Sequence, residues 1–142
     1  MSILNMFDLT GKKAIVTGGG RGLGKGMAEG LCQAGAEVVI IGSSDSVFKA
    51  AAEFSQKGYK CFAVKGDLSD KKSIQSIFGQ AIAYLNGKVD ILINNAGVQS
   101  RHKCEEFPLT DWDHVIQVNL NTVFALCQLA GNKMLQQGYG KI

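Results

Sequence analysis

Four short apolar runs, Ala14-Ile15-Val16, Val38-Val39-Ile40-Ile41, Cys61-Phe62-Ala63-Val64 and Ile91-Leu92-Ile93, alternate with stretches whose apolar residues recur every three or four positions. Short runs of strand character interleaved with helical periodicity build βαβ units, so the chain is constrained to an α/β fold around a parallel sheet. The second run is continuously apolar and β-branched, which suits a strand covered on both faces. The spacing predicts a first helix striped by Leu23, Met27, Leu31 and Ala34, its clearest run spanning Met27 to Ala34, with Gly35 as its stop. A second helix is expected over Ser46 to Lys57, ended by Gly58. A third carries Ile74, Ile77, Phe78, Ala81, Ile82 and Leu85 on one face.

Beyond Pro108, Thr110 with Asp113 reads as a helix start, and a long helix is expected from about Asp111 to Gln137. Its apolar residues, among them Trp112, Leu120, Phe124, Leu126, Ala130 and Leu135, cover more than one side. A helix apolar on two sides needs two partners: the sheet, and either more chain or another subunit. Lys141-Ile142 then reads as the first step of a fifth strand. The expected architecture is a doubly wound parallel sheet, one domain over residues 1–142, incomplete after about four strands and the long helix.

Composition narrows the classes further. A formal charge of +3 is spread along the chain, with no basic stripe interleaved with aromatics, so nucleic acid is not implied. No apolar run approaches the roughly 20 residues of a membrane span. The opening residues to Asp8 lack the basic start and long apolar stretch of a signal peptide, so a cytoplasmic protein is expected. Cys32, Cys61, Cys104 and Cys127 are scattered without a Cys-x-x-Cys pair, which argues against zinc or a disulfide scaffold, and most of them read as buried or inert thiols. No metal site is expected.

The stretch Thr17-Gly18-Gly19-Gly20-Arg21-Gly22-Leu23-Gly24 follows the first apolar run and opens a helix. A strand turning through glycines into a helix N-terminus suits a pyrophosphate: unpaired amides of the first turn face the anion, and glycine lets it approach. Three further features follow in order: Asp67-Leu68 after the third run, Asn94-Asn95-Ala96-Gly97 after the fourth, and Val118-Asn119 inside the long helix. Together these resemble the short-chain dehydrogenases/reductases, over the whole chain. Leu4 to Leu9, Glu106-Phe107-Pro108 with Trp112, and Asn119-Leu120-Asn121 through Gln128 to Gly131 are similar to the branch of that family acting on sugar acids.

The resemblance implies a Rossmann-type fold and a nicotinamide-dependent oxidoreductase. Gly18, Gly22 and Gly24 would shape the phosphate loop, with backbone around Arg21 and Leu23 meeting the phosphates. Asp67 would accept from the adenine amino group and Leu68 supply a backbone donor; the plainer role for Asp67 is a turn residue before Ser69-Asp70. Asn95, Ala96 and Gly97 would line the ribose and nicotinamide side, while Asn94 would tie neighbouring strands together. Asn119 would be the one visible member of the catalytic tetrad, helping to hold a water in a proton relay. The serine, tyrosine and lysine follow the fifth strand in this family, so these 142 residues are expected to be inactive by themselves, and Tyr59, Tyr84 and Tyr139 are not substitutes.

The cofactor stays open between NAD and NADP. The second strand ends Ile41-Gly42-Ser43-Ser44 with no acid until Asp45, and Arg21 suits a 2′-phosphate, whereas the sugar-acid resemblance points to NAD. Arg101 is the candidate for a substrate carboxylate, with His102 and Lys103 as alternatives; His114 reads as a surface or packed histidine. The expected substrate is a sugar acid such as a 2-deoxy- or 2-keto-3-deoxygluconate, with gluconate or a 3-oxoacyl carrier-protein thioester as alternatives. A homo-oligomer, dimer or tetramer, is expected through the helix 111–137. The rival reading is a non-catalytic dinucleotide-binding fragment.

Overall fold

A computed structural model describes residues 2–142. The four apolar runs are strands β1 (Lys13–Thr17), β2 (Glu37–Gly42), β3 (Cys61–Lys65) and β4 (Ile91–Ile93). All pairings are parallel, in the order β3-β2-β1-β4, with Ile15 opposite both Val39 and Leu92. The connecting helices are α1 (Gly22–Gln33), α2 (Ser46–Gln56) and α3 (Ile74–Tyr84).

Alternation along each strand sorts the core into two layers. Ala14, Val16, Val38 and Ile40 pack with α1 and α2, through Ala28, Val47 and Phe54. Ile15, Val39, Ile41 and Leu92 pack on the other face with α3 and the last helix, through Ile77, Phe78, Leu126 and Ala130. The α3 stripe is buried as its periodicity predicts. Each such side chain stabilises the fold by about 1.5–3 kcal/mol relative to exposure.

The first helix corrects the expected stripe. It begins at Gly22, well before Met27, and buries Gly24, Ala28 and Cys32, while Leu23 is 79% and Met27 41% exposed. Leu31 packs at the margin of the cluster. Small residues win because the helix N-terminus lies against the turn leaving β1: a Cβ on Gly24 would collide with Gly18 O and the Asn95 amide.

The long helix is also not one helix. It divides into α4 (Leu109–Ile116), a π-helical turn (Gln117–Asn121) and α5 (Thr122–Gln137). It starts at Leu109 behind Pro108, and Thr110 makes no cap, since it lies inside the first turn. The expected second apolar face is present, with Trp112, Leu120, Phe124 and Leu135 all more than half exposed. The fifth strand, expected only as a hint, is realised as one bridge: Lys141 pairs in parallel with Ile91, its N–H donating to Asp90 O (2.9 Å) and its carbonyl accepting from Leu92 N (3.0 Å).

Candidate nucleotide-binding site

β2 and β3 lie on one side of β1 and β4 on the other, so the loops leaving β1 and β4 diverge. In an open parallel sheet this reversal opens a crevice beyond the carboxyl ends of the strands. A cleft of about 480 Å³ lies there, walled by the turn Gly18–Gly24 after β1, Gly42–Ser44 after β2, Gly66–Ser69 after β3 and Asn95–Val98 after β4. His114 and Val118 close it from the α4 side.

The turn is held by its surroundings. Gly18 has φ +68°, a left-handed conformation in which a side chain would be strained, and its N–H donates to Ile41 O at 2.7 Å. Arg21 occupies the N-cap of α1 and offers no side-chain cap, which leaves the first helical amides, Gly22 to Gly24, without intrahelical partners at the cleft. Uncapped amides, a helix dipole and a cradle that a Cβ would fill match a phosphate group.

Thr17, which the sequence reading used only as the start of the glycine motif, fastens the two diverging loops. Its Oγ1 is buried at the end of β1, donates to Ile93 O (3.4 Å) and accepts from the backbone N–H groups of Asn95 (3.1 Å) and Ala96 (3.0 Å). A hydroxyl terminating a β-branched run immediately before a glycine turn was the available signal. Asn95 adds the second fastening, its Nδ2 donating to Thr17 O (3.0 Å) and Gly18 O (3.4 Å). Strand tying therefore belongs to Asn95 and not to Asn94. The Asn94 Nδ2 instead reaches Cys127 Sγ on α5 at 3.3 Å, and its buried Oδ1 has no hydrogen-bond partner. Alternation explains the exchange, since adjacent residues leaving a strand face opposite layers.

Asp67 lines the cleft and also makes the turn: its Oδ1 accepts from Ser69 Oγ (2.7 Å) and Ser69 N (2.8 Å). These two bonds hold its carboxyl below the ordinary carboxylate range, with a smaller contribution from His114. Oδ2 takes no part in those bonds. Leu68 is buried beside it.

Ser43 and Ser44, which follow β2, and Arg21, at the N-cap of α1, all line the cleft. The first acid after β2, Asp45, is turned to Lys65 Nζ at 2.8 Å and lies outside the cleft lining. Asn119 sits in the π turn with its amide engaged by the backbone of Val98. Arg101 is not brought into the cleft; it is exposed on the following loop, donating to Gln99 Oε1 at 3.3 Å. Its neighbour His102 shares Asp111 Oδ2 with Ser100, both at 2.8 Å. His114, expected as a surface or packed histidine, is exposed and also lines the cleft. Among the described residues no tyrosine or lysine lines it; Tyr84 stacks on Phe62 and Tyr139 lies under Lys12.

A family model described as short chain dehydrogenase matches residues 12–142. The chain is 41% identical over 136 residues to the 2-dehydro-3-deoxy-D-gluconate 5-dehydrogenase of Bacillus subtilis, covering 96% of this chain and 53% of that protein. It is 41% identical over 144 residues to the gluconate 5-dehydrogenase of Gluconobacter oxydans, covering 100% of this chain and 56% of the other. A crystal structure of a gluconate 5-dehydrogenase from Burkholderia cenocepacia in complex with NADP and tartrate superposes with TM-score 0.89 at 34% identity, over 99% of this chain and 55% of that one. The chain thus spans about half the length of the relatives it matches.

Proposed function

Because this chain belongs to the short-chain dehydrogenase family, we propose that it forms the nucleotide-binding part of an NADP-preferring oxidoreductase acting on a secondary alcohol or ketone of a sugar acid. The carrying observation is the β2 end of the cleft. Discrimination there rests on charge: a carboxylate at that position pairs with a ribose 2′-hydroxyl, whereas a 2′-phosphate needs a cation and no carboxylate. Arg21 supplies the cation, Ser43 and Ser44 supply hydroxyls, and Asp45 is held away by Lys65. NADP in the Burkholderia relative supports the same choice.

Gly22, Leu23 and Gly24 hold the pyrophosphate through backbone amides, while Gly18, its own amide bonded to Ile41 O, shapes the turn. Asp67, through its second oxygen, and Leu68 hold the adenine; Ala96 and Gly97 line the nicotinamide side, with Asn95 keeping that wall in place. A bound nicotinamide supplies the hydride acceptor or donor. Asn119 acts as a positioning residue: with its amide taken by Val98, water is held by backbone carbonyl groups that the π turn releases from the helical ladder. The 142 residues bind the nucleotide and do not turn it over by themselves.

Arg101 is assigned to the substrate carboxylate because it is exposed, is paired with no carboxylate among the described residues, and is placed on the loop leaving the cleft wall. The 2-dehydro-3-deoxygluconate and gluconate relatives and the bound tartrate, a hydroxy acid, support a sugar-acid substrate. Self-association through α4 and α5 is supported by their exposed apolar stripe.

The test is a titration with NADP, NAD, adenosine 2′,5′-bisphosphate and AMP. Arg21→Ala is expected to weaken the two 2′-phosphate ligands about tenfold, the loss of one charge-assisted pair, and to leave NAD and AMP unchanged. Equal weakening of all four would remove the NADP reading, and no binding of any would remove the cofactor site itself.

A further inference from the structure

His114 lines the nucleotide cleft, and its ring is uncommitted. Asp111, one turn ahead on α4, would be its natural partner, but Asp111 Oδ2 is taken by His102 and Ser100, both at 2.8 Å. Among the described residues no side-chain hydrogen bond or ion pair engages the His114 ring.

The helix that carries His114 faces the loop after β3. His114, Val118 and Thr122 succeed one another at single-turn spacing through α4, the π turn and α5, so they share a face. Thr122 Oγ1, buried, donates to Leu68 O at 2.7 Å, which ties the inner end of that face to the Asp67-Leu68 loop. Val118 is 6% exposed and lines the cleft, and His114 continues the face outward to the exposed rim. Asp67 is the exposed, cleft-lining residue of the loop, with Leu68 buried behind it. After the two Ser69 bonds, the charge of His114 is the remaining influence that lowers the Asp67 carboxyl, as expected of groups across one opening.

Sheet order says which half of a dinucleotide lies there. With the pyrophosphate on the turn after β1, one nucleoside half extends over β2 and β3 and the other over β4. The adenosine half, whose 2′-phosphate meets the β2 loop, therefore ends between Asp67 and His114. We propose that these two residues together read one edge of the adenine base: Asp67 Oδ2 accepts from the N6 amino group, and a His114 ring N–H donates to N7. This rests on the nucleotide-binding function proposed for the cleft. Adenine presents that donor and acceptor side by side, whereas a 6-oxopurine presents two acceptors. The protein offers the complement, since Asp67 Oδ2 takes no part in the Ser69 bonds and an imidazole carries at least one N–H in either protonation state. A 6-oxopurine would set its oxygen against the carboxylate.

The experiment titrates the full chain with AMP, with 7-deaza-AMP, in which a C–H replaces N7, and with IMP, in which a carbonyl replaces the amino group. The parent is expected to bind AMP about fivefold tighter than 7-deaza-AMP, the worth of one hydrogen bond, and tighter than IMP. His114→Leu should bring AMP down to the level of 7-deaza-AMP, leave 7-deaza-AMP unchanged and keep the preference over IMP. His114→Gln, which retains a donor, should restore part of the loss, and melting temperatures matching the parent should show both variants folded. A parent that binds AMP and 7-deaza-AMP alike, or a leucine variant that weakens the two equally, would overturn the His114 contact while leaving the cofactor site standing. No binding of AMP by the parent would remove the site and the contact together.

Discussion

Asn119 and Val98 hold each other by two reciprocal hydrogen bonds: the Asn119 Nδ2 donates to Val98 O at 2.8 Å, and its Oδ1 accepts from Val98 N at 2.9 Å. One end of this clamp is the π turn that divides the last helix; the other follows Gly97 in the cleft wall. Asn119→Leu removes both bonds and is expected to cost about 1–3 kcal/mol. It should also weaken nucleotide binding by freeing the wall. Thermal unfolding and nucleotide titration read the two effects, and a variant unchanged in both would separate the clamp from the cleft.

Thr17→Val preserves the shape of β1 but leaves the amides of Asn95 and Ala96 without their shared acceptor. Unsatisfied buried donors cost about 1–3 kcal/mol each. Denaturant unfolding should show a loss of about 2–4 kcal/mol, with Thr17→Ser restoring most of it. A valine variant as stable as the parent would show that water replaces the hydroxyl.

Asp67 titrates below its ordinary range, chiefly because Ser69 Oγ donates to it and then because Ser69 N does. A depressed carboxylate stabilises the fold above its ordinary pKa of about 3.9, and that contribution is lost as pH falls through the lower, folded value. Ser69→Ala should move the Asp67 titration upward without reaching the ordinary value, since the backbone donor remains. Carbon-detected carboxyl NMR measures it; an unmoved titration would shift the cause to the backbone bond alone.

Phe124 is 67% exposed on the apolar stripe that includes Leu120. Phe124→Asp should leave the circular dichroism and melting temperature near those of the parent while shifting sedimentation toward smaller species. The reason is that a charge in a helix-on-helix contact costs far more than on a solvated face. A parent and variant that sediment identically would exclude this face as the contact.

The strands and α3 were legible in the sequence because their signal is local: β-branched runs and a complete apolar stripe point to one answer whatever surrounds them. The α1 stripe was misread for the opposite reason. Which side of Gly22–Gln33 faces the sheet depends on how closely Gly24 approaches Gly18, a contact between a helix and a preceding turn that hydrophobic spacing does not encode. The division of the last helix is similar, since the bonds to Val98 that accompany its π turn reach 21 residues along the chain.

From residue order alone came the α/β class, the family, and the identity of most cleft-lining residues, because each of those residues follows a strand and a parallel sheet gathers such positions at one end. Only the tertiary structure decided which of two adjacent asparagines ties the strands, that Arg101 stands outside the cleft while His114 stands inside, and that Asp45 is spent on Lys65. Those assignments depend on which layer a side chain faces and on partners 20 or more residues away. They follow from packing the layers together, whereas class and motif follow from short-range pattern.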